Sequence, residues 1–83
     1  MNNNNQIIKE TIRQKLEKKD KNNDDYLILR LNDERTIFVF SGGEVSKERW
    51  NWLEVGKEYN FTVEEGKGDN NYILVDFEIE INT

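Results

Sequence analysis

The residues of this chain that can do chemistry are planar rings and cations rather than acid–base pairs. Phe38 and Phe40 stand two apart in residues 35–41, RTIFVFS, and Ile37 and Val39 alternate with them. A strand sends successive side chains to opposite faces, so both faces of this segment are apolar. An antiparallel strand of a small sheet usually keeps one face in water. Either the segment is covered on both sides, or its two aromatic rings lie on a binding surface.

The cations are unevenly distributed. The net charge is −5, yet residues 1–21 hold six of the twelve bases (Lys9, Arg13, Lys15, Lys18, Lys19, Lys21) and only three of the seventeen acids (Glu10, Glu17, Asp20). The remaining residues are therefore strongly acidic. A bulk-acidic domain is a weak nonspecific partner for polyanions, because phosphate neutralisation dominates such binding. A local basic stripe still acts within a screening length of ~8–10 Å.

Several chemistries are excluded by what is missing or misplaced. The 83 residues contain no His and no Cys. That removes disulfides, thiolate nucleophiles, the usual zinc ligands and the commonest general base near neutral pH. Asp20, Asn22 and Asp24 have the spacing of a calcium loop, but Asp25 stands where the turn glycine belongs and Leu31 where the bidentate Glu belongs. Gly66-Lys67-Gly68 is too short for a phosphate-binding loop and lacks its strand–loop–helix setting. No spacing sets a base beside a nucleophile. The expectation is a protein that is not an enzyme and has no catalytic residues, metal or cofactor.

The elements that must position the rings and cations follow from periodicity. Residues 1–6 are an Asn-rich, low-complexity tail expected to be disordered, and residues 7–83 form one domain. In residues 7–18, Ile8, Ile12 and Leu16 are four apart, which fits a helical stripe and one face of a strand alike. The polar loop that follows leads into an evident strand, and that context favours a long, curved strand here. Residues 26–31 place Leu27, Leu29 and Leu31 on one face and Tyr26, Ile28 and Arg30 on the other. Asn32-Asp33 supplies the turn, since both residues tolerate positive φ.

Gly42-Gly43 breaks the third strand, and Ser46 can cap a short helix over residues 47–53, with Trp50 and Leu53 packed together. Residues 57–65 turn Tyr59, Phe61 and Val63 inward. In the last strand, residues 72–81, a period of two puts Ile73, Val75, Phe77, Ile79 and Ile81 on one face. No apolar run approaches the ~18 residues of a membrane span. The N-terminus has no secretory signal pattern, so a soluble, cytoplasmic protein is expected.

The predicted fold class is thus all-β, a small barrel with one short helix. The order strand, strand, strand, helix, strand, strand resembles the five-stranded OB-fold, over about residues 7–81. The basic first strand running through a polar loop into YLILRL, the third strand TIFVFS, and the segment WNWLEVGKEYNFTV look like replication-protein-A-like and archaeal single-strand-binding OB domains. One departure is that Lys9, Glu10 and Thr11 stand where many such first strands carry a glycine.

The resemblance implies single-stranded DNA or RNA bound across the second and third strands, by stacking and by basic side chains. Carried over residue by residue, the implied site is Lys15, Lys18, Lys19, Tyr26, Arg30, Arg35, Phe38, Phe40 and Lys67. The alternative is an OB-fold protein-interaction or homo-oligomerisation module without nucleic-acid binding. Its motive is the pairing that an acidic and a basic half permit.

Overall fold

The computed structural model describes residues 5–79. Its elements in chain order are β1 (Gln6–Lys19), β2 (Asp25–Leu31), β3 (Thr36–Phe40), α1 (Lys47–Trp50), β4 (Glu58–Glu65) and β5 (Asn71–Ile79). The strands close into a barrel in the order β1-β2-β3-β5-β4, with β3 and β5 parallel and the other neighbours antiparallel. This is a small all-β barrel with one short helix, consistent with a barrel-like fold such as the OB-fold. Closure protects strands rich in Val, Ile and aromatics that would otherwise expose sticky edges.

The ambiguous first segment is a strand. Its N-terminal half pairs with β4 and its C-terminal half with β2, so one strand serves both sides of the closure. Ile12 and Gln14 face consecutive residues of β2, Leu31 and Arg30, which leaves Arg13 as an extra residue. A bulge of this kind bends and twists a strand; it provides the curvature that a glycine would otherwise give. It also reverses the alternation. Ile8 and Ile12 are buried, but Leu16 falls on the outer face and is only half-buried, contrary to the shared face expected for all three. The tail expected at residues 1–6 lies outside the described residues except for Asn5 and Gln6, and Gln6 pairs with Val63.

The same event occurs in β5. Val63 faces Leu74 and Thr62 faces Asp76, so Val75 is extra. Leu74 and Phe77 are therefore the buried pair and Ile73 turns outward; Ile79 keeps the face of Phe77, opposite Tyr59, but is 54% exposed. This replaces the unbroken inward face expected for residues 73–81, of which Ile81 lies outside the described residues.

Elsewhere the alternation holds. Leu27, Leu29, Leu31, Ile37, Val39, Tyr59, Phe61 and Val63 all point into a core in which no charged side chain among the described residues is buried. Each such apolar side chain contributes roughly 1.5–3 kcal/mol by leaving water. The β2–β3 turn is longer than the two residues expected. Leu31 N–H donates to the Arg35 carbonyl, and the left-handed residue is Glu34, at φ 77°, in place of Asn32 or Asp33. That is a three-residue hairpin whose last position takes the positive φ.

The helix is also shorter than expected, at four residues, and Ser46 makes no side-chain cap. Trp50 and Leu53 are both buried in the core cluster, while Trp52 is 55% exposed beside Arg49. The buried Tyr59 ties this segment down: its hydroxyl donates to the Trp52 carbonyl and accepts from Glu54 N–H. No helix among the described residues is long and apolar enough to cross a membrane.

Candidate nucleic-acid interface

The registers place an ordered set of side chains on the outer face of β1, β2, β3 and β5. Leu16 pairs with Ile28, Ile28 with Phe38, and Phe38 with Ile73, giving one half-buried apolar row across four strands. A second row runs Lys18, Tyr26, Phe40. A third runs Gln14, Arg30, Thr36, Asn71.

Since Ile37 and Val39 occupy the core, Phe38 and Phe40 must face outward. Phe40 is 44% exposed. The two rings lie 6.4 Å apart between centroids and within 12° of parallel, and Tyr26 lies 6.1 Å from Phe40. Two nearly parallel, outward-facing rings at this spacing offer faces to planar partners.

Beside the rings is an open cleft of ≈ 400 Å³, lined by Phe38, Phe40 and Ile73 and by Gly66, Lys67 and Asn71 of the β4–β5 connection. Gly66 lets this connection close tightly, for a Cβ there would sit 3.1 Å from the Asn71 carbonyl oxygen. Gly68 holds φ 84°, which an L side chain rarely adopts. The Asn71 Nδ2 donates to the Lys67 carbonyl at 2.6 Å, and Gly66 N–H donates to the Asn71 carbonyl at 2.9 Å.

The fold divides the sequence-predicted cations into two groups. Lys18, Arg30 and Lys67 flank the rings and have no carboxylate partner among the described residues. Lys15, Lys19 and Arg35 are engaged elsewhere. Lys15 follows the bulge and turns to the inner side, where its Nζ donates to the carbonyls of Trp50 and Leu53, both at 2.9 Å. It tethers the end of α1 and the residues after it and does not join the outer face.

Lys19 forms an ion pair with Asp25 at 2.6 Å, and Lys47 reaches the other oxygen of the same carboxylate. Hydrogen bonds from Lys19 and then Lys47 hold the Asp25 carboxyl down at about 2, and Asp25 in turn raises Lys47. Arg35 pairs with Asp33 through Nη2 at 2.5 Å and Nε at 2.7 Å. The guanidinium lowers the Asp33 pKa, and Asp33 raises that of Arg35.

Leu16, Ile73 and Asn71 belong to this face and were not among the residues inferred from sequence. The first two arrive through bulges that leave no mark in the local pattern. Asn71 arrives through a parallel pairing between distant segments, Thr36 with Asn71. The apparent calcium loop has another use for its first carboxylate: Asp20 Oδ1 accepts from the backbone N–H of Asn22 and Asp24. Among the described residues no group of three or more acidic, His or Cys side chains could hold a metal ion.

No family model matches the chain, and no curated protein or solved structure matches it significantly.

Proposed function

We propose that this protein binds single-stranded DNA or RNA across the outer face of β2 and β3. The observation that carries this is the pair of outward, nearly parallel rings of Phe38 and Phe40, which line an open cleft with Ile73. Bases stack on such rings for ~1–3 kcal/mol each without need of a particular sequence. Lys18 at the end of β1, Arg30 in β2 and Lys67 on the β4–β5 connection would supply the charges that meet phosphates. Support also comes from the barrel order and from the resemblance of the helix and fourth-strand segment to single-strand-binding OB domains.

The test is a titration of a fluorescein-labelled oligonucleotide at low salt, with the Phe38→Ala/Phe40→Ala double variant alongside. Saturable binding by the natural chain, weakened in the variant, is the expected result. Nonspecific binding itself falls at ~10⁻⁴–10⁻⁶ M, so no signal at ~100 μM rejects the proposal.

A second reading is favoured by the unbroken apolar row Leu16–Ile28–Phe38–Ile73, which also suits a protein partner or a second copy of the chain. Sedimentation at concentrations that saturate the oligonucleotide separates the two. A concentration-dependent increase in mass without nucleic acid favours self-association.

A further inference from the structure

We propose that this chain associates head to tail with copies of itself, an apolar patch around Trp52 on one copy seating on the β2–β3 face of the next. The contact does not depend on the single-strand reading, but it makes a second copy and a nucleic-acid strand alternative occupants of one face.

Of the five large apolar side chains exposed among the described residues, three are Trp52, Val55 and Ile79. Tyr59 gathers them. Its hydroxyl holds the Trp52 carbonyl and the Glu54 N–H, Val55 follows Glu54 in the chain, and Ile79 stands opposite Tyr59 in the β4–β5 register. Arg49 joins the two sides of the patch, since its guanidinium lies 5.8 Å from the Trp52 ring and 4.5 Å from the Phe77 ring. That cation is already paired with Asp76 at 2.9 Å.

The margin of the patch is acidic. Glu54, Glu58 and Glu78 each adjoin one of these residues in the chain. Glu54 meets Lys57 at 3.4 Å, while Glu58 and Glu78 have no ion-pair partner among the described residues. The β2–β3 face has the opposite margin. Its apolar row is flanked by Lys18, Arg30 and Lys67, and the carboxylate in register with that row is Glu64, opposite Ile73.

Two surfaces with apolar centres and margins of opposite sign suit each other, whereas either one placed against its own copy sets like charges together. The contact is therefore between unlike patches. Each added copy leaves one of each patch free, so growth does not stop at two unless a ring closes. The net charge of −5 opposes close approach. Association should for that reason need more protein than saturates the oligonucleotide, and the strand should displace the neighbouring copy.

The experiment is sedimentation of the full chain at concentrations reaching about 1 mM, the weak end of the affinity scale. The mass should rise with concentration and pass that of a dimer. Trp52→Ala removes the centre of one patch, and the Phe38→Ala/Phe40→Ala variant that of the other. Each alone should associate at least about 30-fold more weakly, the loss expected of a buried aromatic anchor. Mixed in equal amounts, the two retain one intact contact between unlike variants and should form a species that stops at two copies. Circular dichroism checks that both are folded.

A single monomer mass for the natural chain across the whole range overturns the proposal. So does a mixture that associates no better than the separate variants, which is the behaviour of a symmetric contact. Saturating oligonucleotide should return the natural chain to monomers; a bound strand that leaves the assembly intact refutes the shared face. If no oligonucleotide binds while the mixed variants pair as expected, the single-strand reading fails and the head-to-tail contact stands.

Discussion

Raising monovalent salt from about 50 to about 200 mM is expected to weaken single-strand binding by roughly 20-fold. The magnitude follows from which cations the fold leaves available. Six basic side chains were candidates from sequence, but Lys15 is bound to the Trp50 and Leu53 carbonyls, Lys19 to Asp25 and Arg35 to Asp33. Lys18, Arg30 and Lys67 remain. For single strands the logarithm of affinity falls with the logarithm of salt at about −0.7 per phosphate neutralised. Three contacts give a slope of about −2, whereas six would give about −4 and a loss of roughly 300-fold over the same interval. Anisotropy titrations at several salt concentrations measure the slope. Lys18→Gln and Arg30→Gln should each flatten it by about 0.7, and Lys19→Gln should leave it unchanged. A slope near −4, or one that survives loss of both Lys18 and Arg30, refutes the division of the cations.

Further outcomes follow from the fold. Lys15→Met should lower unfolding stability by about 1.5–3 kcal/mol, the scale of hydrogen bonds to a charged group, with oligonucleotide affinity unchanged; denaturant melts and anisotropy measure the two. Glu34 sits at φ 77°, so Glu34→Gly should raise stability by about 0.5–1 kcal/mol in the same melts. The folded-state pKa of Asp25 is depressed from 3.8 to about 2 by Lys19 and Lys47. Its contribution is therefore present above the unfolded value and lost as pH falls from about 4 towards 2. Asp25→Asn should remove that part of the acid dependence, seen as a flatter fall of the melting temperature across this window.

How much of this was legible in the sequence depends on the range of the signal. Where a strand keeps its register, as in residues 26–31 and 59–63, period two assigned the core faces correctly. The alternation in residues 36–40 left two outcomes, and the barrel resolves them: Ile37 and Val39 fill the core and Phe38 and Phe40 turn out. The bulges at Arg13 and Val75 add one residue each with no change in composition, so period two puts Leu16 and Ile73 on the wrong face, while Phe77 and Ile79 keep the face expected for them. The positive φ of the hairpin fell on Glu34 because a three-residue turn fits that pairing. The role of Lys15 could not be read, because its two carbonyl partners lie 35 and 38 residues along the chain. Lys19 and Lys47 converge on Asp25 for the same reason: only the folded barrel brings the end of β1 and the start of α1 together.

The central claim is that the outward rings of Phe38 and Phe40 hold the bases of an unpaired strand. Its most direct test is the affinity of the natural chain and of the Phe38→Ala/Phe40→Ala variant for one labelled oligonucleotide at low salt, with circular dichroism confirming that both are folded. Loss of two stacking partners should weaken binding by at least about 30-fold. Equal affinity of the two folded proteins would contradict it.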